Sequence, residues 1–195
     1  MRILLTGADR PLGQALASHL GGQHDIAAYG ERAGADAPAL DLRQREGVEE
    51  ALAPGFDAVV HAMPFDPDPG QGDGAEQDLL DRVGRGTYVL ATAALAAGVK
   101  RLILASRLEL MADYPADYVV NPVWLPLPRP EAASLAPYMA ELACREIARA
   151  RGLSTVCLRL ASADGTACEA AAEALSEEAP GRGHSWALRH VGERN

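Results

Sequence analysis

Lysine occurs once in this chain, at Lys100, and aromatic residues make up only 5% of its 195 residues. Basic runs are absent and the net charge is -9. That balance argues against a nucleic-acid partner or an anionic membrane surface, because phosphate binding needs a concentrated positive field. Small molecules are the expected ligands. Cysteine is also scarce: Cys144, Cys157 and Cys168 form no CxxC pair, and the odd count fits buried free thiols in a reducing compartment better than a disulfide framework or a zinc knuckle. No apolar run reaches the roughly 18 residues of a membrane span. The opening MRILLTG is a short strand rather than a signal sequence, so a cytoplasmic location is expected. No internal repeat is apparent. Asp66, Asp68 and Asp73 lack the order and the bidentate glutamate of a calcium loop, and no metal is expected.

What remains is ordinary for a globular protein, with 48% hydrophobic and 23% charged residues, enough for one domain with a sizeable core. Short aliphatic runs alternate with longer helix-like stretches. The runs RILLT, DIAAY, DAVVHA, RLILAS and STVCLRL predict strands, and SWALRHV a final edge strand. Helices are predicted at about Leu12–Leu20, over REGVEEALA, from Glu76 to Ala97, from after Pro137 to Gly152, and at ACEAAAEALSEEA. Such alternation is the signature of a parallel sheet covered on both faces. Two proline- and glycine-rich stretches, PFDPDPGQGDG and DYPADYVVNPVWLPLPRP, cannot be regular. Both fall where a strand's carboxyl end meets the next helix, and are expected to border a ligand site.

The N-terminal RILLTGADRPLGQALASHL is a strand, a glycine-bearing turn and a helix, which presents backbone N–H groups and a helix N-terminus to a pyrophosphate. Gly7 permits the tight turn and Gly13 the close packing of helix on sheet. This resembles the TGxxGxxG turn of short-chain dehydrogenases, particularly the extended branch of NAD-dependent epimerases and dehydratases. Thr6, Gly7 and Gly13 match, and Arg10 replaces the middle glycine. An arginine there either crowds the cofactor or contacts a phosphate directly. Further features follow in the family's order: Asp41 and Leu42, VVHAM at Val59 to Met63, Gly86 and Thr87, AAGVKRLILAS ending at Ser106, Tyr138 with Glu146 beyond it, and GLSTVCLRLASADG.

The resemblance covers about residues 1–165 and implies a Rossmann-like doubly wound α/β fold with helices on both faces. Residues 1–165 would be the NAD(P)-binding domain and residues 166–195 a short C-terminal helix and edge strand, with the substrate-binding part largely missing. Thr6, Gly7, Arg10, Leu12 and Gly13 would form the phosphate turn, Asp41 and Leu42 would sit beside the adenine, and Ala62 and Met63 would line the path to the nicotinamide. In YGERA, Glu31 would serve the ribose of NAD and Arg32 the 2′-phosphate of NADP, with the balance leaning to NAD. Plainer readings stay open: a helix-capping Asp41, strand-end packing at Ala62 and Met63, solvated turn charges at Glu31 and Arg32. His61 reads as a strand-end histidine.

In the family a tyrosine is the acid or base for a substrate hydroxyl, a lysine four residues later lowers its pKa, and a hydroxyl at the end of the fourth strand orients the substrate. Tyr138 and Ser106 match; the lysine position is Leu142. Tyrosine near its free pKa of about 10 is almost wholly protonated at neutral pH, so the missing cation removes much of its competence as a base. Lys100 precedes the fourth strand, at the wrong end. Arg107 is the candidate replacement, its alternative being a pair with Glu109, and whether it or Ser106 holds the family's hydroxyl position is open by one residue. The reading is an NAD(P)-binding oxidoreductase for a hydroxyl-bearing or sugar-nucleotide-like substrate, with an impaired catalytic motif. The alternative is a non-catalytic dinucleotide-binding sensor or dimeric scaffold. Pairing of the Glu76–Ala97 helix and the one after Pro137 across a two-fold axis, as in many relatives, makes a homodimer an expectation.

Overall fold

Short aliphatic runs bounded by turn residues become strands when both faces can be covered. A computed structural model of the chain describes residues 1–34, 37–150, 152–178 and 185–193. The strands are β1 (Arg2–Thr6), β2 (Asp25–Tyr29), β3 (Ala58–His61), β4 (Arg101–Arg107), β5 (Ser154–Leu160) and β6 (Trp186–Val191). They form one sheet in the order β2-β1-β3-β4-β5-β6, every neighbouring pair parallel. β3 and β5 are buried along their whole length, while the edge strands β2 and β6 are partly exposed. The unbroken apolar runs are therefore the central strands.

Among the described residues six α-helices cover the two faces: α1 (Pro11–Gly21), α2 (Arg45–Leu52), α3 (Ala75–Leu80), α4 (Gly86–Ala96), α5 (Ala132–Arg149) and α6 (Gly165–Ser176). Leu4, Val59, Leu102, Leu104 and Cys157 point into a core shared with α2, α4 and α5. Their neighbours Ile3, Leu5, Val60, Ile103 and Val156 point into a second core with α1 and α6. The sheet is thus doubly wound, as the alternation of elements predicts.

Two helices differ from expectation. The predicted Glu76–Ala97 helix is α3 and α4 joined by a π-helical turn, Asp81–Arg85. From α4 the Thr87 hydroxyl donates back to the Val83 carbonyl of that turn at 2.6 Å, and Gly84 lies so close to α5 that an added Cβ would stand 2.7 Å from Met139 Cε. The predicted helix after Pro137 begins at Ala132 and carries Pro137 inside it. Proline forgoes one backbone bond, but Ala132, Ala136 and Ala140 of the same helix are buried in the core, and that packing outweighs the loss.

Asp164 starts α6 by accepting from the backbone N–H groups of Thr166 and Ala167 at 2.9 and 3.3 Å. At the other end of α6, Arg101 donates to the Ala174 carbonyl at 2.9 Å and to that of Glu177 at 2.5 Å. A guanidinium there satisfies terminal carbonyls and complements the helix dipole. Of the segment 166–195, residues 179–184, 194 and 195 lie outside the described residues.

Candidate functional site

The chain leaves β1 for β2 on one side and returns to β3 on the other, so the strand order reverses at β1. Open parallel sheets bind ligands outside the carboxyl ends of the strands at such a reversal. Gly7 stands there with φ of 81°, and a Cβ on it would lie 2.8 Å from Met63 N. A Cβ on Gly13 would lie 2.0 Å from the Gly7 carbonyl oxygen. Both glycines are demanded by the backbone. Arg10 is the extended residue before Pro11 and gives α1 no side-chain cap, which leaves the first-turn N–H groups free of a side-chain partner. Leu12, Ala62 and Met63 are buried behind the turn.

Thr6, also buried, is the start of a directed chain of hydrogen bonds. Because the Thr87 hydroxyl gives its proton to Val83, it must accept from His61 Nε2, 2.8 Å away. His61 Nδ1 then accepts from the Thr6 hydroxyl at 2.6 Å, which assigns the tautomer. Burial pushes the His61 pKa down to about 3. His61 is a neutral strut joining β1, β3 and the π turn, in keeping with a strand-end role.

At the carboxyl end of β2 the structure gathers Arg10, Glu31 and Arg32, and adds residues that the sequence did not assign to the turn. Arg10 Nη2 approaches Glu31 Oε2 at 3.3 Å and Asp68 Oδ2 at 3.4 Å. Arg82 pairs with Glu31 and, at 2.6 Å, with Asp78; it also donates to the Asp68 carbonyl at 2.7 Å. Arg32 Nη2 meets Asp68 Oδ2 at 2.6 Å. Asp9 accepts from the backbone N–H groups of Glu31 and Arg32 at 2.9 and 3.3 Å, tying the glycine turn to the end of β2. An open cleft of about 570 Å³ lined by Asp9, Arg10, Gln14 and Arg32 adjoins the turn. Asp41 holds the backbone N–H and guanidinium of Arg43, which reaches Asp78 at 2.7 Å, so it braces its own turn and does not cap α2. Leu42 is a core residue.

These residues fit a dinucleotide's phosphates on one further observation. Arg10 Nε is a buried donor with no hydrogen-bond acceptor among the described residues; Asp9 Oδ2 lies 3.9 Å from it. An unsatisfied guanidinium N–H beside a glycine turn and a helix N-terminus is suited to a phosphate oxygen.

Of the three residues expected to do chemistry, Arg107 lines a different cavity from Tyr138, and Ser106 bonds Glu141, which lines the Tyr138 cavity. Tyr138 and Leu142, one turn apart on α5, line a cavity of about 250 Å³ with Trp124, Trp186, Leu188 and Arg159. Ser106 is fully buried, and its hydroxyl donates to Glu141 Oε1 at 2.6 Å. Arg159 grips the same carboxylate with two parallel bonds, 2.9 Å from Nε and 2.7 Å from Nη2. Arg107 pairs with Glu109 and lines a different cavity, of about 220 Å³, with Asp113 and Arg129. Two arginines share the Tyr138 cavity, Arg159 and Arg145; Arg159 is matched by Glu141 and Arg145 pairs with Glu146 at 3.2 Å. The three cysteines are buried and free, and burial raises the Cys144 thiol to about 12.

The description of the NAD-dependent epimerase/dehydratase family matches residues 3–175. The chain belongs to that family. It is 36% identical over 107 residues to the L-arabinose 1-dehydrogenase (NAD(P)(+)) of Haloferax volcanii, covering 54% of this chain and 40% of that protein. The chain thus spans less than half the length of that curated relative. Among solved structures, MoeE5 in complex with UDP-glucuronic acid and NAD superimposes with a TM-score of 0.74 at 22% identity, over 98% of this chain and 76% of that one. The Bordetella bronchiseptica enzyme WbmH in complex with NAD⁺ gives 0.74 at 16% identity, over 97% and 74% of the respective chains. An NAD-bound short-chain dehydrogenase/reductase superfamily protein from Agrobacterium tumefaciens gives 0.70 at 24%, over 82% and 49%. These likenesses establish the fold. Among the described residues no helix is long and apolar enough to cross a membrane, and no group of three or more His, Cys, Asp or Glu side chains could hold a metal ion.

Proposed function

We propose that this chain binds NAD(P) at the Gly7–Gly13 turn and is an epimerase/dehydratase-type oxidoreductase whose turnover on a hydroxyl-bearing or sugar-nucleotide-like substrate is impaired. The observation that carries the reading is the pair of sterically required glycines at the strand-order reversal, with the unsatisfied Arg10 Nε beside them. Thr6, Gly7, Leu12 and Gly13 shape the phosphate turn, Ala62 and Met63 wall it, and Arg10 answers phosphate charge. Glu31 would accept from a ribose hydroxyl, which favours NAD; Arg32 is the group that would meet a 2′-phosphate. When bound, the nicotinamide would supply the hydride acceptor or donor. The L-arabinose dehydrogenase relative supports this choice of reaction class.

Impairment follows from the residues around Tyr138. Its helical neighbour Leu142 carries no charge, and the Ser106 hydroxyl is committed to Glu141. Tyr138 remains the proton donor or acceptor in this reading. Reduction of NAD⁺ or NADP⁺ should be slow with sugar and sugar-nucleotide substrates, and Tyr138→Phe should abolish it; equal rates in the variant would remove Tyr138 from the chemistry. A second reading, a dinucleotide-binding sensor or dimeric scaffold without turnover, is favoured by the burial of Ser106 and by the exposed Tyr88 and Met139 on α4 and α5. Cofactor binding without turnover on any substrate would select it.

A further inference from the structure

The phosphate turn is bridged by the protein's own carboxylates. Asp68 lies on the loop between β3 and α3 and reaches Arg10 on the glycine turn and Arg32 beyond β2, at 3.4 and 2.6 Å. Its carbonyl takes a third guanidinium, Arg82, at 2.7 Å. One acidic residue thereby engages three arginines. The Gly70 N–H lowers the pKa of the Asp68 carboxyl, with Arg10 and Arg32 adding to it, so Asp68 stays ionised and remains a partner at neutral pH.

The loop is built to release. Phe65 anchors its start by packing on the core, while Gly70, Gly72 and Gly74 all have positive φ, conformations in which glycine moves at little steric cost. Between these points Asp68 carries the loop's side-chain bonds to the body of the protein among the described residues. Phosphates and carboxylates compete for the same guanidinium geometry.

We propose that Asp68 is an internal stand-in for the cofactor's phosphate, and that the loop from Asp66 to Gly74 is an ionic latch which must release Arg10 before a dinucleotide is held. This rests on the dinucleotide reading above. The latch lowers affinity without touching the glycine turn. It also makes Arg10 dual: closed, it holds Asp68 and Glu31; open, it turns both Nη2 and the unused Nε to the ligand.

The test is calorimetric titration of the full chain with NAD⁺ and NADP⁺ in wild type, Asp68→Asn and Asp66→Asn. Asp66 is an exposed carboxylate on the same loop, so its variant carries the same charge change without unlatching. Asp68→Asn should bind about tenfold more tightly than wild type, the scale of one sheltered charge-assisted bond, and Asp66→Asn should match wild type. Arg32→Gln, which removes a second partner of Asp68, should move NAD⁺ binding in the same direction by less. Hydrogen exchange without ligand should rise at residues 66–74 in Asp68→Asn alone. Binding by Asp68→Asn where wild type shows none would be the strongest support. Equal affinity in wild type and Asp68→Asn would overturn the latch and leave the dinucleotide reading standing; no binding in any protein would overturn both.

Discussion

Replacing Glu141 by glutamine should be among the most damaging single changes in this protein. Glu141 and Arg159 have side-chain exposures of 4% and 3%, so the charge left on Arg159 cannot be rescued by water. Its other neighbours, Met111 Sδ at 3.2 Å and His190 Nε2 at 3.4 Å, are poor acceptors for a cation. An amide oxygen in the place of Oε1 can still accept from Ser106 and from Arg159 Nε, so the loss is the Nη2 bond and the carboxylate's charge. Removing one partner of a buried ion pair costs roughly 3–5 kcal/mol, and in a chain of this size each kcal/mol lowers Tm by about 2–4 °C. The expected fall is therefore roughly 6–20 °C. Urea unfolding followed by far-ultraviolet circular dichroism reads the free energy, and a thermal scan reads Tm. Substituting both residues at once, Glu141→Leu with Arg159→Met, should recover most of the loss, because an apolar pair of similar volume leaves no orphaned charge. A Glu141→Gln change of less than about 1 kcal/mol, the scale of an exposed pair, would refute the reasoning.

Two further outcomes follow from buried or capping groups. His61 titrates near 6.5 when unfolded and is pushed to about 3 in the fold. A depressed folded pKa means stability that is present above the unfolded value and lost as pH falls toward the folded one. The loss between those values is on the order of 4 kcal/mol, and His61→Gln should show a correspondingly shallower decline in urea titrations from pH 7 to pH 4; parallel curves would contradict it. Asp164→Ala should cost about 1 kcal/mol by uncapping α6, and an unchanged urea midpoint would show that the cap carries no weight.

The strands were legible because central parallel strands are buried on both faces, which writes them as short runs rich in aliphatic residues, such as AVVH and STVCLRL. Long-range packing decided what was not legible. The π turn depends on Gly84 meeting Met139 and on Thr87 bonding Val83, and the helical periodicity of Glu76–Ala97 does not encode it. Proline rules placed the start of α5 too late because the buried Ala132, Ala136 and Ala140 outweigh one missing N–H. At the site, each glycine of the turn answers a local need, so the turn could be read from one stretch. The charge network could not, since Arg10, Glu31, Asp68 and Arg82 come from four separate segments and each alone resembles a solvated charge. Arg159 did leave a signal, a charge inside an otherwise apolar strand, which marks a buried partner elsewhere.

The most direct test of the central claim, that the Gly7–Gly13 turn holds a dinucleotide, is calorimetric titration of the purified chain with NAD⁺ and NADP⁺ beside a Gly13→Ala control. The control places a methyl group 2.0 Å from the Gly7 carbonyl oxygen and must deform the turn. Saturable micromolar binding of one dinucleotide by wild type, lost in a still-folded Gly13→Ala protein, is the predicted result. Absence of binding to both, or binding that survives Gly13→Ala unchanged, would contradict the account.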